Sequence, residues 1–446
     1  MAILRQRAKL AGTGAALIAP GVRVSFDDLA RGNPLCVPPA ALRGAHVLLR
    51  TRDQLGAALA LVALDGVAAR LVIAPPDLKD EHLSDVIARA GLDTLVTDDA
   101  ALAIPGLRTV TVSARLSPLG GDVEPAVTEW VLFTSGTTGA PKMVAHSLDG
   151  LAGAIGPRTD TGTITWGTYY DIRRYGGLQI LLRALLGGAS LVLSQPDEPV
   201  ADFLTRLGAA GVTHLTGTPS HWRRALMSPA ISRIAPHYVR LSGEIADQAV
   251  LDNLKARFPA AAMGHAYAAT EAGVGFEVTD GLEGFPAAFI GRPGPVEMRV
   301  TDGSLHVRSP RTASDYVGGS ESLKNDGWVD TGDLVEQRGD RFYFAGRRGG
   351  IINVGGLKIN PEEVEAVINR HPGVALSRVS GRRNPITGAL VVAEVVLNDA
   401  ANDNASFKEE LLALCREKLP AFKVPAMLRF VEKLDLTAGG KLSRHA

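Results

Sequence analysis

The chain has 446 residues, more than one hydrophobic core usually organises, so two or more domains of roughly 100–200 residues each are expected. Lysine plus arginine equals aspartate plus glutamate at 47 each, which removes any global charge argument for nucleic acid or an anionic membrane and points to small-molecule partners. The two cysteines, Cys36 and Cys415, lie far apart without CxxC spacing, so neither a disulfide framework nor a cysteine-based zinc site is expected.

Arg5, Arg7 and Lys9 precede a small-residue run at 10–19 that faintly resembles a secretory leader, but glycines interrupt it. No stretch of about 18 apolar residues follows, so a soluble, cytoplasmic protein is expected. From there to about residue 122, short apolar runs alternate with helix-like segments. Residues 47–49 read as a strand, 53–64 as a helix, and 70–74 as a second strand stopped by Pro75 and Pro76. Residues 83–90 and 94–96 repeat the unit, an alternation that predicts α/β layers with parallel strands.

Residues 133–144 read FTSGTTGAPKMV and follow a strand-like run at 130–133. Gly136 and Gly139 let the backbone turn so that successive N–H groups face one anion, while Thr134, Ser135, Thr137 and Thr138 add hydroxyl donors and Lys142 a charge. The pattern is that of a phosphate loop, with a flexible polar linker as the alternative. It is not a Walker A loop, because Ala140 and Pro141 separate the last glycine from the lysine.

TSGTTGAPK resembles the signature loop of the adenylate-forming superfamily, which includes acyl-CoA synthetases, peptide-synthetase adenylation domains and beetle luciferases. The resemblance implies a large multi-layer α/β N-terminal domain and a small mobile α+β C-terminal domain. Further motifs follow in the family's order. Residues 178–186 read as a buried helix before a strand at 190–193, and the family's acyl-pocket entrance falls just ahead of it, at 173–175. A guanidinium of Arg173 or Arg174 facing the pocket would favour an acid with a second carboxylate or polar acceptor. The competing reading is a solvated pair at a helix start, or an ion pair with Asp171.

A strand at 212–215 runs into GTPSHWRRAL, which resembles a helix start of the family. LSGE at 241–244 resembles the turn at the adenine edge, which implicates Gly243 and Glu244. HAYAATEAG at 265–273 resembles the YGxTE motif: Tyr267 would offer an aromatic face to adenine, Thr270 a hydroxyl to the α-phosphate, and Glu271 a hard oxygen to Mg2+. Ala268 stands where that motif has glycine, tolerable if φ stays negative. Asp302 and Gly303 mark a hairpin between VEMRV and LHVRS. In DGWVDTGDL, Asp333 is the ribose candidate, since one carboxylate accepts from two adjacent hydroxyls.

Phe344 would pack on the nucleoside and Arg347 would bond ribose or phosphate at the junction between domains 1–346 and 347–446. The family's pivot residue, usually Asp or Lys, is here Gly349, followed by Gly350, so a freer hinge is expected near 347–350. Asn360, Pro361 and Glu363 predict a helix start with a capping box, and residues 389–397 and 407–419 a strand and a second helix. Gly355 and Gly356 suit a narrow pantetheine passage, and Gly439, Gly440 and Lys441 resemble the C-terminal GK motif whose lysine meets transition-state charge.

The resemblance therefore implies an AMP-forming acid–thiol ligase with catalytic Lys441, Glu271 and Thr270, using ATP, Mg2+, a small carboxylic acid and coenzyme A. Loading of a carrier-protein phosphopantetheine is the alternative. A non-catalytic nucleotide-binding relative, suggested by Gly349 and Ala268, is a third reading.

Overall fold

QLGAALALVAL, residues 54–64, is apolar on every side, and such a helix is stable only when enclosed. In the computed structural model, which describes residues 4–6, 14–119, 124–134, 141–156, 163–319, 322–354, 357–384, 388–398, 405–437 and 440–443, every residue of this helix is buried. Asp53 lies just outside it in extended conformation and accepts a hydrogen bond from the Gly56 N–H at 2.7 Å, so the helix is Gln54–Leu64 with Asp53 as its cap.

One buried cluster joins this helix and Tyr175–Gly187 to residues of two large sheets. The first runs, in spatial order, Gly32–Leu35, Arg108–Pro118, Thr94–Thr97, His46–Leu49, Arg70–Ile73, Glu129–Thr134 and Lys142–His146. The second runs Gly273–Val278, Ala262–Ala269, Tyr238–Ser242, His214–Gly217, Thr165–Thr168, Ser190–Val192, Ala16–Ala19 and Val22–Ser25. In both, the interior pairings are parallel and the edge pairings antiparallel. This is the α/β layering expected from the alternation of strands and helices.

Two readings shift. Ala16–Ala19, from the leader-like run, is an interior strand with Leu17 fully buried opposite Leu191. The strand expected at 212–215 begins at His214, because Gly211 takes φ +63° and the Val212 N–H closes the preceding helix onto the Leu207 carbonyl at 3.1 Å. No helix among the described residues is long and apolar enough to cross a membrane.

An antiparallel sheet follows, ordered Phe285–Pro286, Arg341–Arg347, Val329–Arg338, Ser304–Arg308, Glu297–Thr301. Its hairpin turns at Asp302 (φ +51°) and Gly303 (φ +75°), the two positive angles that a tight two-residue connection needs. Beyond it, strands Val374–Asn384, Gly388–Leu397 and Met427–Phe430 pack beneath helices Pro361–Ile368 and Ala405–Lys418. Their buried cluster draws only on residues from Ile352 onward.

The capping box at Asn360 does not form. Asn360 makes no side-chain cap bond, and both Glu363 oxygens take the Lys423 ammonium instead, at 2.8 and 2.6 Å. A capping box is found at Thr218 and His221.

Arg173 is 1% exposed rather than solvated. Its Nε and Nη2 donate to the two Asp171 oxygens at 2.9 and 2.6 Å, and Nη1 donates to the Thr51 carbonyl at 2.5 Å. The fork thus ties the entry to helix Tyr175–Gly187 to the chain that follows strand His46–Leu49. Arg173→Leu is expected to destabilise the protein by about 3–5 kcal/mol, because it leaves the Asp171 charge buried without its partner. Urea unfolding measures this, and a loss below about 1 kcal/mol would show that Asp171 recovers full hydration.

Candidate active site

Thr218, Gly243 and Thr270 each follow directly on a parallel strand of the second sheet: His214–Gly217, Tyr238–Ser242 and Ala262–Ala269 respectively. All three line one cleft of about 2120 Å³. Ligands of open α/β sheets sit at such strand ends, where side chains of successive loops converge.

On one wall the Tyr267 hydroxyl donates to Asp333 Oδ2 at 2.7 Å and Arg347 Nε donates to Asp333 Oδ1 at 2.8 Å. Asp333 and Arg347 face each other because their strands pair in register. The carboxylate is 14% exposed and oriented from both sides, as a ribose acceptor would need to be. Burial pulls the Arg347 pKa down, but Asp333, Glu271 and Tyr267 together outweigh it and the net displacement is upward. Burial, then the Asp333 charge, raises the Tyr267 phenol well above its ordinary value, so it stays a donor.

Tyr267 itself is only 8% exposed. Its ring packs near-parallel to Phe276 and Phe344, at centroid distances of 5.5 and 5.2 Å, and so presents less open face than expected. Ala268 pairs within its strand and is absent from the positive-φ residues, so alanine is compatible with the backbone there.

Lys441 enters the same cleft from the other end of the chain. A Cβ built on Gly243 would lie 3.5 Å from Lys441 Cε, so a larger residue at Gly243 would crowd the lysine stem. The residue is exposed as a whole, and its ammonium is partly desolvated within the cleft. That desolvation, with Arg347 nearby, lowers its pKa against the opposing pull of Glu244 and Asp333.

Glu244, expected at an adenine edge, has both carboxylate oxygens bonded to backbone amides. Its Oε2 accepts from the Ser220 N–H at 2.9 Å and its Oε1 from the Leu442 N–H at 2.8 Å. Phe344, Thr134, Lys142, Thr270 and Glu271 also line the cleft. Lys142 Nζ lies 5.0 Å from the Tyr316 ring centroid. Ser135, Gly136, Thr137, Thr138 and Gly139 lie outside the described residues, as do Gly355, Gly356 and Gly439.

Among the described residues no group of three or more His, Cys, Asp or Glu could form a closed metal cage. Glu271, a single carboxylate beside the Thr270 hydroxyl in the open cleft, fits a magnesium ion of the kind held by one or two carboxylates plus substrate phosphates.

Arg173 does not line the cleft, whereas Arg174 does. Arg174 donates to Asp77, and its Nε is buried with no hydrogen-bond partner among the described residues. Thr218 and His221 are contacts of the GK segment that no motif marks. The sequence signals a helix start there, but nothing local shows that the segment around Gly440, some 220 residues later, rests on it.

The chain matches the AMP-binding enzyme family over residues 41–317 and the AMP-binding enzyme C-terminal domain over residues 363–441. It belongs to the AMP-binding enzyme family, and so to the adenylate-forming superfamily. Within it, 2-succinylbenzoate–CoA ligase of Bacillus velezensis is 26% identical over 434 residues, covering 91% of this chain and 82% of that protein. Salicylyl-CoA synthase / salicylate adenylyltransferase of a Streptomyces species is 28% identical, covering 80% of this chain and 69% of that one. In fold, the chain is similar to the crystal structure of the anthranilate CoA ligase AuaEII in complex with anthranoyl-AMP, with TM-score 0.82, 20% identity and coverage of 99% and 94%.

Proposed function

We propose that this chain is an AMP-forming acid–thiol ligase that activates an aromatic carboxylic acid and passes the acyl group to coenzyme A. The observation that carries the reading is the meeting of Lys441 with the Tyr267–Asp333–Arg347 group in one cleft. The acid's carboxylate attacks the α-phosphorus of ATP, pyrophosphate leaves, and the thiolate of coenzyme A then displaces AMP from the acyl adenylate. Asp333, held by Tyr267 and Arg347, accepts from the ribose hydroxyls, Phe344 packs on the nucleoside, and Gly243 leaves room for the base. Thr270 and the Lys441 ammonium meet charge that builds at the α-phosphate.

Glu271 would hold magnesium, which neutralises the departing phosphates when bound. The phosphate loop, with Thr134 and Lys142 at its two ends, takes those phosphates. The chain divides into domains 1–346 and 347–446, and Arg347–Gly350 forms the hinge between the two postures. The use of coenzyme A and ATP as co-substrates supports a cytoplasmic location.

The acid class rests on the relatives: 2-succinylbenzoate, salicylate and anthranilate each carry a ring with adjacent carboxylate and polar substituents. Tyr170 and Tyr175 supply aromatic cleft wall, and Arg174 supplies a donor for the substituent. An acid-dependent ATP–pyrophosphate exchange assay tests this with ortho-substituted benzoates, benzoate, fatty acids and amino acids, followed by thiol transfer to coenzyme A or to a phosphopantetheinylated carrier. Ortho-substituted benzoates should support the fastest exchange and coenzyme A should be acylated. Exchange with fatty acids alone, or with no acid, would overturn the reading.

A further inference from the structure

The peptide units on either side of Lys441 are both tied to the first turn of one helix, Pro219–Met227. Before Lys441, the Gly440 carbonyl accepts from Thr218 Oγ1 at 2.7 Å. After it, the Leu442 N–H donates to Glu244 Oε1 at 2.8 Å. Glu244 can do this because its other oxygen is seated on the Ser220 N–H at 2.9 Å, a helix N-terminal position that favours a carboxylate. Thr218 is the cap of the same helix: its hydroxyl oxygen accepts from the His221 N–H at 3.1 Å, which leaves its proton for Gly440.

The loop carrying the lysine is closed on itself as well. The Gly440 N–H donates to the Thr437 carbonyl at 2.8 Å, and the Thr437 N–H donates to the Lys441 carbonyl at 2.7 Å. Lys441 therefore hangs from a backbone held one residue before and one residue after it, which fixes the origin of a long flexible side chain before the substrate arrives. Restricting that freedom in advance is what lets a single ammonium act at one phosphate oxygen.

Resting on the proposed function, we propose that Glu244 is a positioning residue for adenylate formation: its carboxylate latches the Leu442 amide, holds Lys441 over the cleft, and has to release that amide when the small domain turns for the thiol step. The bond to Leu442 is to backbone, so it reads the position of the loop rather than a side chain. It is also charge-assisted, so breaking it without a replacement is costly.

The test uses the full chain with Glu244→Ala and Glu244→Gln and measures the two half-reactions apart: acid-dependent ATP–pyrophosphate exchange, and coenzyme A-dependent consumption of a chemically prepared acyl adenylate. Glu244→Ala should lower exchange about tenfold or more while the thiol step falls by no more than about threefold. Glu244→Gln, which keeps one acceptor oxygen, should fall between wild type and alanine. An equal fall in both half-reactions, as a merely structural defect would give, overturns the latch, and so does an unchanged exchange rate.

A readout without catalysis keeps the latch separate from the functional reading. Amide hydrogen exchange at Gly440 and Leu442 in the ligand-free protein should speed up together in Glu244→Ala, and unaltered protection of Gly440 overturns the latch. If the wild-type protein exchanges pyrophosphate with no acid, the functional reading fails while hydrogen exchange still decides the latch.

Discussion

Replacing Lys441 with alanine is expected to lower acid-dependent ATP–pyrophosphate exchange by about 100- to 1000-fold, the usual loss when a preorganised donor to a charge-building oxygen is removed. The thiol step, run from supplied acyl adenylate, should fall by a much smaller factor. The ammonium stem passes over Gly243, and its charge lies close enough to Glu244, Asp333 and Arg347 to be coupled to all three. Its pKa is pulled below the ordinary lysine value by burial first and by Arg347 second. In the proposed role the lysine acts in its protonated form, so activity should be lost on the alkaline side at a lower pH than a free lysine would give. A pH profile of the exchange reaction checks the direction. Lys441→Arg keeps the charge at all accessible pH, so whatever activity it retains should lack that alkaline limb. Exchange at the wild-type rate in Lys441→Ala would remove the lysine from the mechanism.

What could be read in advance was whatever a short stretch decides. Helix Gln54–Leu64 is evident because its apolar residues need enclosure all round, and the hairpin at Asp302 and Gly303 because only certain residues accept positive φ. Asp333 and Arg347 could be singled out by the motifs around them. That the two bond each other follows from the register of Val329–Arg338 against Arg341–Arg347. Contacts across long separations were closed to the sequence. The Thr218–Gly440 and Glu244–Leu442 bonds span 222 and 198 residues and involve backbone groups, which every residue carries alike. Arg173 and Arg174 are adjacent and chemically identical, and only packing sends the first into an ion pair with Asp171 and the second to the cleft. Asn360 shows the reverse failure. A local capping signal is present, but Lys423 competes for Glu363 from 60 residues away.

Gly440→Ala should come next to Lys441→Ala in severity, through sterics alone. Gly440 has φ +71°, and a Cβ there would fall 1.8 Å from His221 Cε1 and 2.2 Å from Nε2. The ring has little room to retreat: it stacks on Tyr169 with centroids 5.2 Å apart, and its Nδ1 accepts from the Thr218 N–H at 3.2 Å. Burial, and then Arg224, lowers the His221 pKa to about 3, so at neutral pH the imidazole is uncharged and Nδ1 remains an acceptor. Alanine must therefore push the loop off the first turn of Pro219–Met227, breaking the Thr218 and Glu244 bonds at once and withdrawing Lys441. Pyrophosphate exchange is expected to drop about 100-fold, the product of two lost hydrogen bonds, one of them to a charge. Adding His221→Ala should recover part of this by opening the space, leaving the roughly 1–2 kcal/mol that alanine pays at positive φ. The double variant exchanging pyrophosphate no faster than Gly440→Ala would show that the His221 ring is not what the glycine accommodates.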